Sequence, residues 1–293
     1  MLTAELLKKI RKIEITTRRA VSETFSGQYH SVFKGQGIEF SEVRPYVAGD
    51  EIRFIDWNVS ARQNSLFVKR FSEERELTVF IIADVSGSTL FGSHLSLKSE
   101  IIAEISSILA FSAIDNKDKV GAILFSDRVE RYIPPKKGRK HVLSIISEMV
   151  SYRASSRRTG IDNALRYMLN VLKRRSVVFL LSDFIDSGFE KSLSIASRKH
   201  DLIAIRLTDP HEKGFTLPFT LSVADPESGD EFVIDTTGYR NREELRKFAG
   251  STDSLIRDMF RKNDIDYLDI DISTDYIAAL VRFFKMRERR NRR

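Results

Sequence analysis

The chain has 293 residues, of which 42% are apolar and 30% charged, with a net charge of +7 and no cysteine. Such a composition belongs to an ordinary globular protein, and it excludes a disulfide framework, a thiolate nucleophile and cysteine-based zinc or iron–sulfur sites. No apolar run reaches the roughly 18 to 20 residues that span a bilayer, and the N-terminal stretch lacks a signal peptide's apolar centre, so a cytoplasmic protein is expected.

Residues 1–75 differ in character from the rest. An amphipathic helix is expected over about 3–22, followed by a stretch containing Gly27, Gly35 and Gly37, then extended runs at 38–46 and 66–71 joined by a polar bend. A segment this short buries little core by itself, so 1–75 is expected to be an extension packed on a larger domain, 76–293. From residue 77 onward, short apolar runs at 77–83, 120–125, 177–181 and 202–207 match strands covered on both faces. A further strand with alternating acids is expected at 265–272. Helical patterns fall at 96–114, 139–150, 161–172, 191–199, 242–261 and 275–287. This alternation predicts an α/β fold: a doubly wound, mainly parallel sheet with helices on both faces. One interruption stands out, because the extended runs 220–224 and 231–235 flank the turn-forming Asp225-Pro-Glu-Ser-Gly-Asp230. They predict an antiparallel hairpin inserted at the sheet's edge.

Open parallel sheets bind ligands beyond the carboxyl ends of their strands. Just past the first of these strands stands Ala83-Asp-Val-Ser-Gly-Ser-Thr89, which sets Asp84, Ser86 and Ser88 on alternate residues of one loop. Hard oxygens with a carboxylate among them suit Mg²⁺, although the same residue types also make a polar turn. An enzyme is a weaker reading. A phosphatase using Asp84 would need a second acid two residues on, where Ser86 stands, and no Walker A loop or Gly-x-Ser-x-Gly elbow is present. None of His30, His94, His141, His200 and His211 is placed by a motif to serve as a base or a zinc ligand.

Thr159 lies in the loop Ser155-Ser-Arg-Arg-Thr-Gly160 ahead of a helix, and Asp183 follows a later strand. Together with the Asp-x-Ser-x-Ser loop, this order resembles the metal-ion-dependent adhesion site of von Willebrand factor A (VWA) domains. The resemblance implies that Ser86, Ser88 and Thr159 reach a metal directly, that Asp84 and Asp183 act directly or through water, and that an open position accepts a partner's carboxylate. Mg²⁺ is the implied ion, with Mn²⁺ or Ca²⁺ as substitutes. Upstream, Glu39-Phe-Ser-Glu-Val-Arg-Pro-Tyr46, Gly49-Asp50, Arg53-Phe-Ile-Asp-Trp57, Ser60-Ala-Arg62 and Leu66-Phe-Val-Lys69 are similar to the signature of a bacterial VWA-type family, domain of unknown function 58. Its members are associated with MoxR-type AAA+ ATPases, so the resemblance implies a non-enzymatic adaptor for such an ATPase or its client. Thr89 departs from the apolar residue VWA domains often carry there.

Within the signature, Arg44, Asp50, Arg53, Asp56 and Arg62 alternate in sign around Tyr46, Gly49 and Trp57. Paired charges favour an internal clasp, with Trp57 as a plug, that docks this segment onto the sheet of the larger domain; a partner surface is the other reading. A nucleic-acid-binding module rests only on basic clusters at 8–12, 136–140, 157–158, 173–175 and 285–293. Helix ends and a solvated tail account for most of these.

Overall fold

The computed structural model describes residues 8, 10, 11, 13–15, 37–74, 77–90, 97–210, 220–224, 231–235 and 239–291. The chain divides into two compact units, Phe33–Leu77 and a larger one comprising Met1–Val32 with Thr78–Arg293.

In the smaller unit, β1 (Gly37–Pro45) and β2 (Phe67–Glu74) pair antiparallel, with a register irregularity between Phe40 and Glu42. The connection is more structured than the polar bend expected, because it holds a 3₁₀ turn (Ile52–Phe54) and a helix, α1 (Trp57–Gln63). Asp56 starts α1 by accepting from the amides of Asn58 and Val59 at 3.0 and 3.2 Å, which satisfies two of the helix's unpaired donors. Asn64 ends it in the left-handed region at φ 51°, a conformation Asn tolerates well. The amide of Phe67 then donates to Ser60 Oγ at 2.9 Å, tying the helix to β2.

The larger unit is built on a six-stranded sheet. Its strands are β3 (Thr78–Asp84), β4 (Lys119–Phe125), β5 (Val129–Lys136), β6 (Val177–Ser182), β7 (Asp201–Thr208) and β10 (Asp266–Asp271), in the spatial order β10-β7-β6-β3-β4-β5. All pairings are parallel except β4 with β5. The sheet is therefore the mainly parallel α/β arrangement that the alternation of runs predicts. Sequence reading passed over β5, whose residues are half-exposed and include Pro134 and Pro135. Proline cannot donate to a ladder, so an edge is where such a strand fits. Gly121 in β4 faces the ring of Phe80 and Pro135, where an added Cβ would lie 2.7 and 2.9 Å away. The hairpin forms as predicted from β8 (Thr220–Ala224) and β9 (Glu231–Asp235), but as a two-stranded sheet of its own with no ladder to the larger one. Its loop, 225–230, lies outside the described residues, as do most of the predicted helix 3–22 and the glycine stretch at 27–35.

Alternate residues of the central strands point to opposite faces. Phe80, Ile82, Ile123, Phe125, Val178 and Leu180 share a core with α4 (Ile161–Val171), α5 (Glu190–Lys199) and α6 (Tyr239–Lys262). On the other face lie α2 (Lys98–Asp115), which packs on β3, β4 and α3 (Arg139–Ser151), and α7 (Tyr276–Asn291), whose Phe284 meets Phe179 with ring centroids 6.3 Å apart. Being covered by sheet and helices alike, α2 is apolar nearly all round, as a buried helix must be. Among the described residues, no helix is long and apolar enough to cross a membrane.

Candidate functional site

The chain runs from β3 outward to β4 and β5, then returns to place β6 on β3's other side. That reversal makes the carboxyl ends of β3 and β6 the switch point of the sheet, where a crevice opens. Asp84 ends β3, Ser182 ends β6, and Asp183 follows it directly.

Asp84 is fully buried. Its Oδ1 accepts the amide of Ser86 at 2.9 Å, and its Oδ2 accepts the hydroxyl of Ser182 at 2.6 Å. Ser182 Oγ also accepts the Phe184 amide at 3.1 Å, so one hydroxyl braces both strand ends. Beyond Asp84 the chain curls into a 3₁₀ turn (Gly87–Leu90), closed by Thr89, whose hydroxyl donates to the Ser86 carbonyl at 2.8 Å. The unusual threonine thus has a structural task. This turn brings Ser86 Oγ and Ser88 Oγ to 3.1 Å from one another, with Ser88 half-exposed.

The loop carrying Thr159 is drawn to the same crevice. The amide of Gly87 donates to the Arg157 carbonyl at 2.7 Å, and the amide of Ile161 donates to Asp186 Oδ2 at 2.8 Å, a carboxylate at the positive end of α4. Gly160 passes so close to the Asp127 backbone that a Cβ would lie 2.9 Å from it. Glu130 anchors the loop's other end, accepting from Ser126 Oγ, Tyr152 Oη, the Ser155 amide and hydroxyl, and the Ser156 amide at 2.6 to 3.3 Å. Against the burial that opposes its charge, those bonds hold Glu130 below the usual glutamate range.

Asp183 is 2% exposed. Its Oδ1 accepts the Ile185 amide at 3.2 Å, its carbonyl accepts Arg206 Nε at 3.2 Å, and its Oδ2 lies 3.2 Å from the Nζ of Lys98, itself fully buried at the first residue of α2. Phe184 follows at φ 60°, a backbone state that strains a bulky residue. Its ring is held in place edge-on against Phe260, at 5.0 Å between centroids. Burial, and next the charge of Asp183, push the Asp84 carboxyl up to about 7, against the hydrogen bonds from Ser182 and Ser86.

The structure therefore gathers Asp84, Ser86, Ser88 and Asp183 at one crevice and binds the Thr159 loop to it. The donor set of carboxylates and hydroxyls suits a hard cation such as Mg²⁺, with one cation, the Lys98 ammonium, already on Asp183. Sequence reasoning missed Lys98, Ser182, Glu130 and Asp186. A lysine opening a helix that is apolar on every side was the available signal for the first. For the others, only the fold brings them near.

Several of the signature residues pair locally within the smaller unit. Arg44 pairs both oxygens of Asp50 at 2.8 and 2.6 Å, Val47 donates its amide to the same carboxylate, and Gly49 takes the turn at φ 109°. The Arg44 hydrogen bonds, then that of Val47, hold Asp50 below the ordinary carboxylate range. Asp56 is lowered too, chiefly by the Val59 amide, and has Lys69 at 3.7 Å. Arg53 pairs with Glu51 and lies over the Phe54 ring, while Tyr46 is half-buried. Three residues do not fit a clasp: Trp57, expected as a plug, is 63% exposed, and Arg53 and Arg62 are exposed as well.

The sequence profile described as "Protein of unknown function DUF58" matches residues 42–253. The uncharacterized protein Rv1480 of Mycobacterium tuberculosis is 24% identical over 292 residues, covering 97% of this chain and 90% of its own. A Mycobacterium avium protein, MAV169, is 27% identical over 120 residues, covering 40% of this chain and 69% of its own. Among solved structures, the conserved hypothetical protein BatB of Bacteroides thetaiotaomicron aligns with a TM-score of 0.48 at 17% identity, over 73% of this chain and 99% of that one. The SpRpn10 VWA domain aligns at 0.39 and 13% identity, over 70% and 93%.

Proposed function

This chain belongs to the DUF58 family, and we propose that it is a non-enzymatic binding protein whose switch-point crevice holds a divalent cation and, through it, captures a carboxylate of a partner. The observation that carries this reading is the convergence of Asp84, Ser86, Ser88 and Asp183 at the ends of two adjacent strands, with the Thr159 loop bonded to the serine turn. In this reading Ser86, Ser88 and Thr159 supply the neutral oxygens. Asp84 and Asp183 supply the charge, and Ser182 fixes the Asp84 carboxylate in place. When bound, Mg²⁺ offers a Lewis-acid position that a carboxylate oxygen can fill. Arg157 and Arg158, exposed beside Thr159, would draw an acidic partner to that position. The two described histidines lie elsewhere, His141 bonded to the Val120 carbonyl at the start of β4 and His200 just before β7, at the opposite ends of their strands from the crevice. Neither of these two is placed as a general base for a serine nucleophile.

From the resemblance of the signature residues, the partner we infer is a MoxR-type AAA+ ATPase or a client it remodels, in the cytoplasm. The test is calorimetric titration of Mg²⁺ and Mn²⁺ into the wild type and Asp84→Ala. Saturable binding lost in the variant, whose far-ultraviolet circular dichroism stays native, is the expected result. Binding that survives the substitution would sink the site. A purified MoxR-type ATPase should then associate in Mg²⁺ and dissociate in EDTA.

A further inference from the structure

Lys98 stands where a lysine is least expected. It is the first residue of α2, at the positive end of the helix, and it has no exposed surface. Both circumstances oppose an ammonium ion. Asp183, equally buried, helps to offset them, its Oδ2 lying 3.2 Å from Nζ. Taken by themselves and ionised, Asp84, Asp183 and the Lys98 ammonium sum to a single negative charge, not two.

We propose that Lys98 is a built-in cation that competes with the metal for Asp183 and so couples metal binding to capture of the partner's carboxylate; this rests on the metal-site reading above. A divalent ion joining these three groups takes their sum from minus one to plus one, which an incoming carboxylate neutralises. Without the ammonium, the loaded crevice is already neutral, and a carboxylate ligand would leave it negative. Lys98 therefore weakens the metal alone and strengthens metal plus carboxylate. Because coupling is reciprocal, the partner's acid raises metal affinity by the same factor as the metal raises the partner's.

The experiment is a calorimetric titration of Mn²⁺ into the wild type and Lys98→Met, repeated for both in acetate as the carboxylate probe. Expected are Mn²⁺ binding about tenfold or more tighter in Lys98→Met and an acetate-dependent gain in the wild type that is smaller in the variant. Equal Mn²⁺ affinities would overturn the role of Lys98 while leaving the metal site standing. No binding by either folded protein would overturn the metal reading, and this inference with it. Should Lys98→Met fail to fold, the ¹⁵Nζ resonance of Lys98 in the wild type decides. A shift on saturation with Mg²⁺ supports the competition, and an unmoved resonance with Mg²⁺ bound refutes it.

Discussion

Asp84 has no exposed surface and both its oxygens accept hydrogen bonds, yet its carboxyl keeps a proton up to about pH 7 because burial, and next the charge of Asp183, oppose its ionisation. In the unfolded chain the same group ionises near pH 4. The fold therefore binds this proton more tightly, so the stabilisation is complete below about pH 4 and is lost as pH rises through 7. His200 works in the opposite sense. It is 1% exposed, neither ring nitrogen has a hydrogen-bond partner, and burial, then Lys199 and Arg175, lower it to about 4. Its contribution is whole above about 6.5 and is lost as pH falls through 4, a loss on the order of 3 kcal/mol. The two slopes oppose one another between pH 4 and 7, and single substitutions separate them. Without metal, Asp84→Asn should melt higher than the wild type at pH 8, and His200→Leu should melt higher at pH 5. Thermal denaturation across that range measures both, and a wild-type pH profile in either variant would contradict the assignment.

Among the elements, the segment from Tyr152 to Gly160 depends most on a single side chain. It has no regular secondary structure, and Glu130 on the edge strand β5 gathers its hydroxyls and amides. Those bonds are half-exposed, so they steady the loop more than they stabilise the fold. Glu130→Ala should therefore lower global stability by only about 1–2 kcal/mol. It should also speed hydrogen exchange at the loop's amides, including that of Arg158, and weaken Mn²⁺ binding through Thr159. Exchange mass spectrometry that found this loop as protected as in the wild type would deny Glu130 that role. The smaller unit makes a related point, because Asp50 and Asp56 each serve a local turn or cap and leave Trp57 facing outward. Asp50 and Asp56 find partners within the unit, whereas the exposed Trp57 and Arg62 are left facing outward.

At the scale of the whole molecule, the last helix is locked to the sheet by ions. Arg287, 8% exposed, pairs with Asp201 at the start of β7 and Asp266 at the start of β10, and Arg290 grips both oxygens of Asp266 at 2.6 Å. The basic C-terminus is therefore not wholly the solvated tail that its composition suggests. This clasp sits at the amino ends of the strands, opposite the crevice, where a change alters stability without touching the site. Arg287→Ala should cost about 1–3 kcal/mol, since it leaves Asp201 without this partner while Arg290 still holds Asp266, and should leave Mn²⁺ affinity unchanged. Urea unfolding and the same calorimetry test the two halves of that statement.

Periodicity carried most of the fold. Runs covered on both faces, such as Val79 to Ala83, read directly as central strands, and an alternation of strands with long helices admits few arrangements. Asp84, Ser86 and Ser88 were singled out because strand ends in a parallel sheet are where loops meet, whereas Thr159 and Asp183 joined them through the resemblance to VWA domains. Edge elements were not legible: β5 and α1 are short and half-exposed, and short amphipathic pieces have weak periodic signals. Only tertiary structure put Lys98 beside Asp183, 85 residues away, and Ser182 beside Asp84, 98 residues away. Hydrophobic pattern is a property of neighbouring positions along the chain, whereas the charge balance of a buried crevice depends on which distant side chains the sheet order brings within a few ångströms.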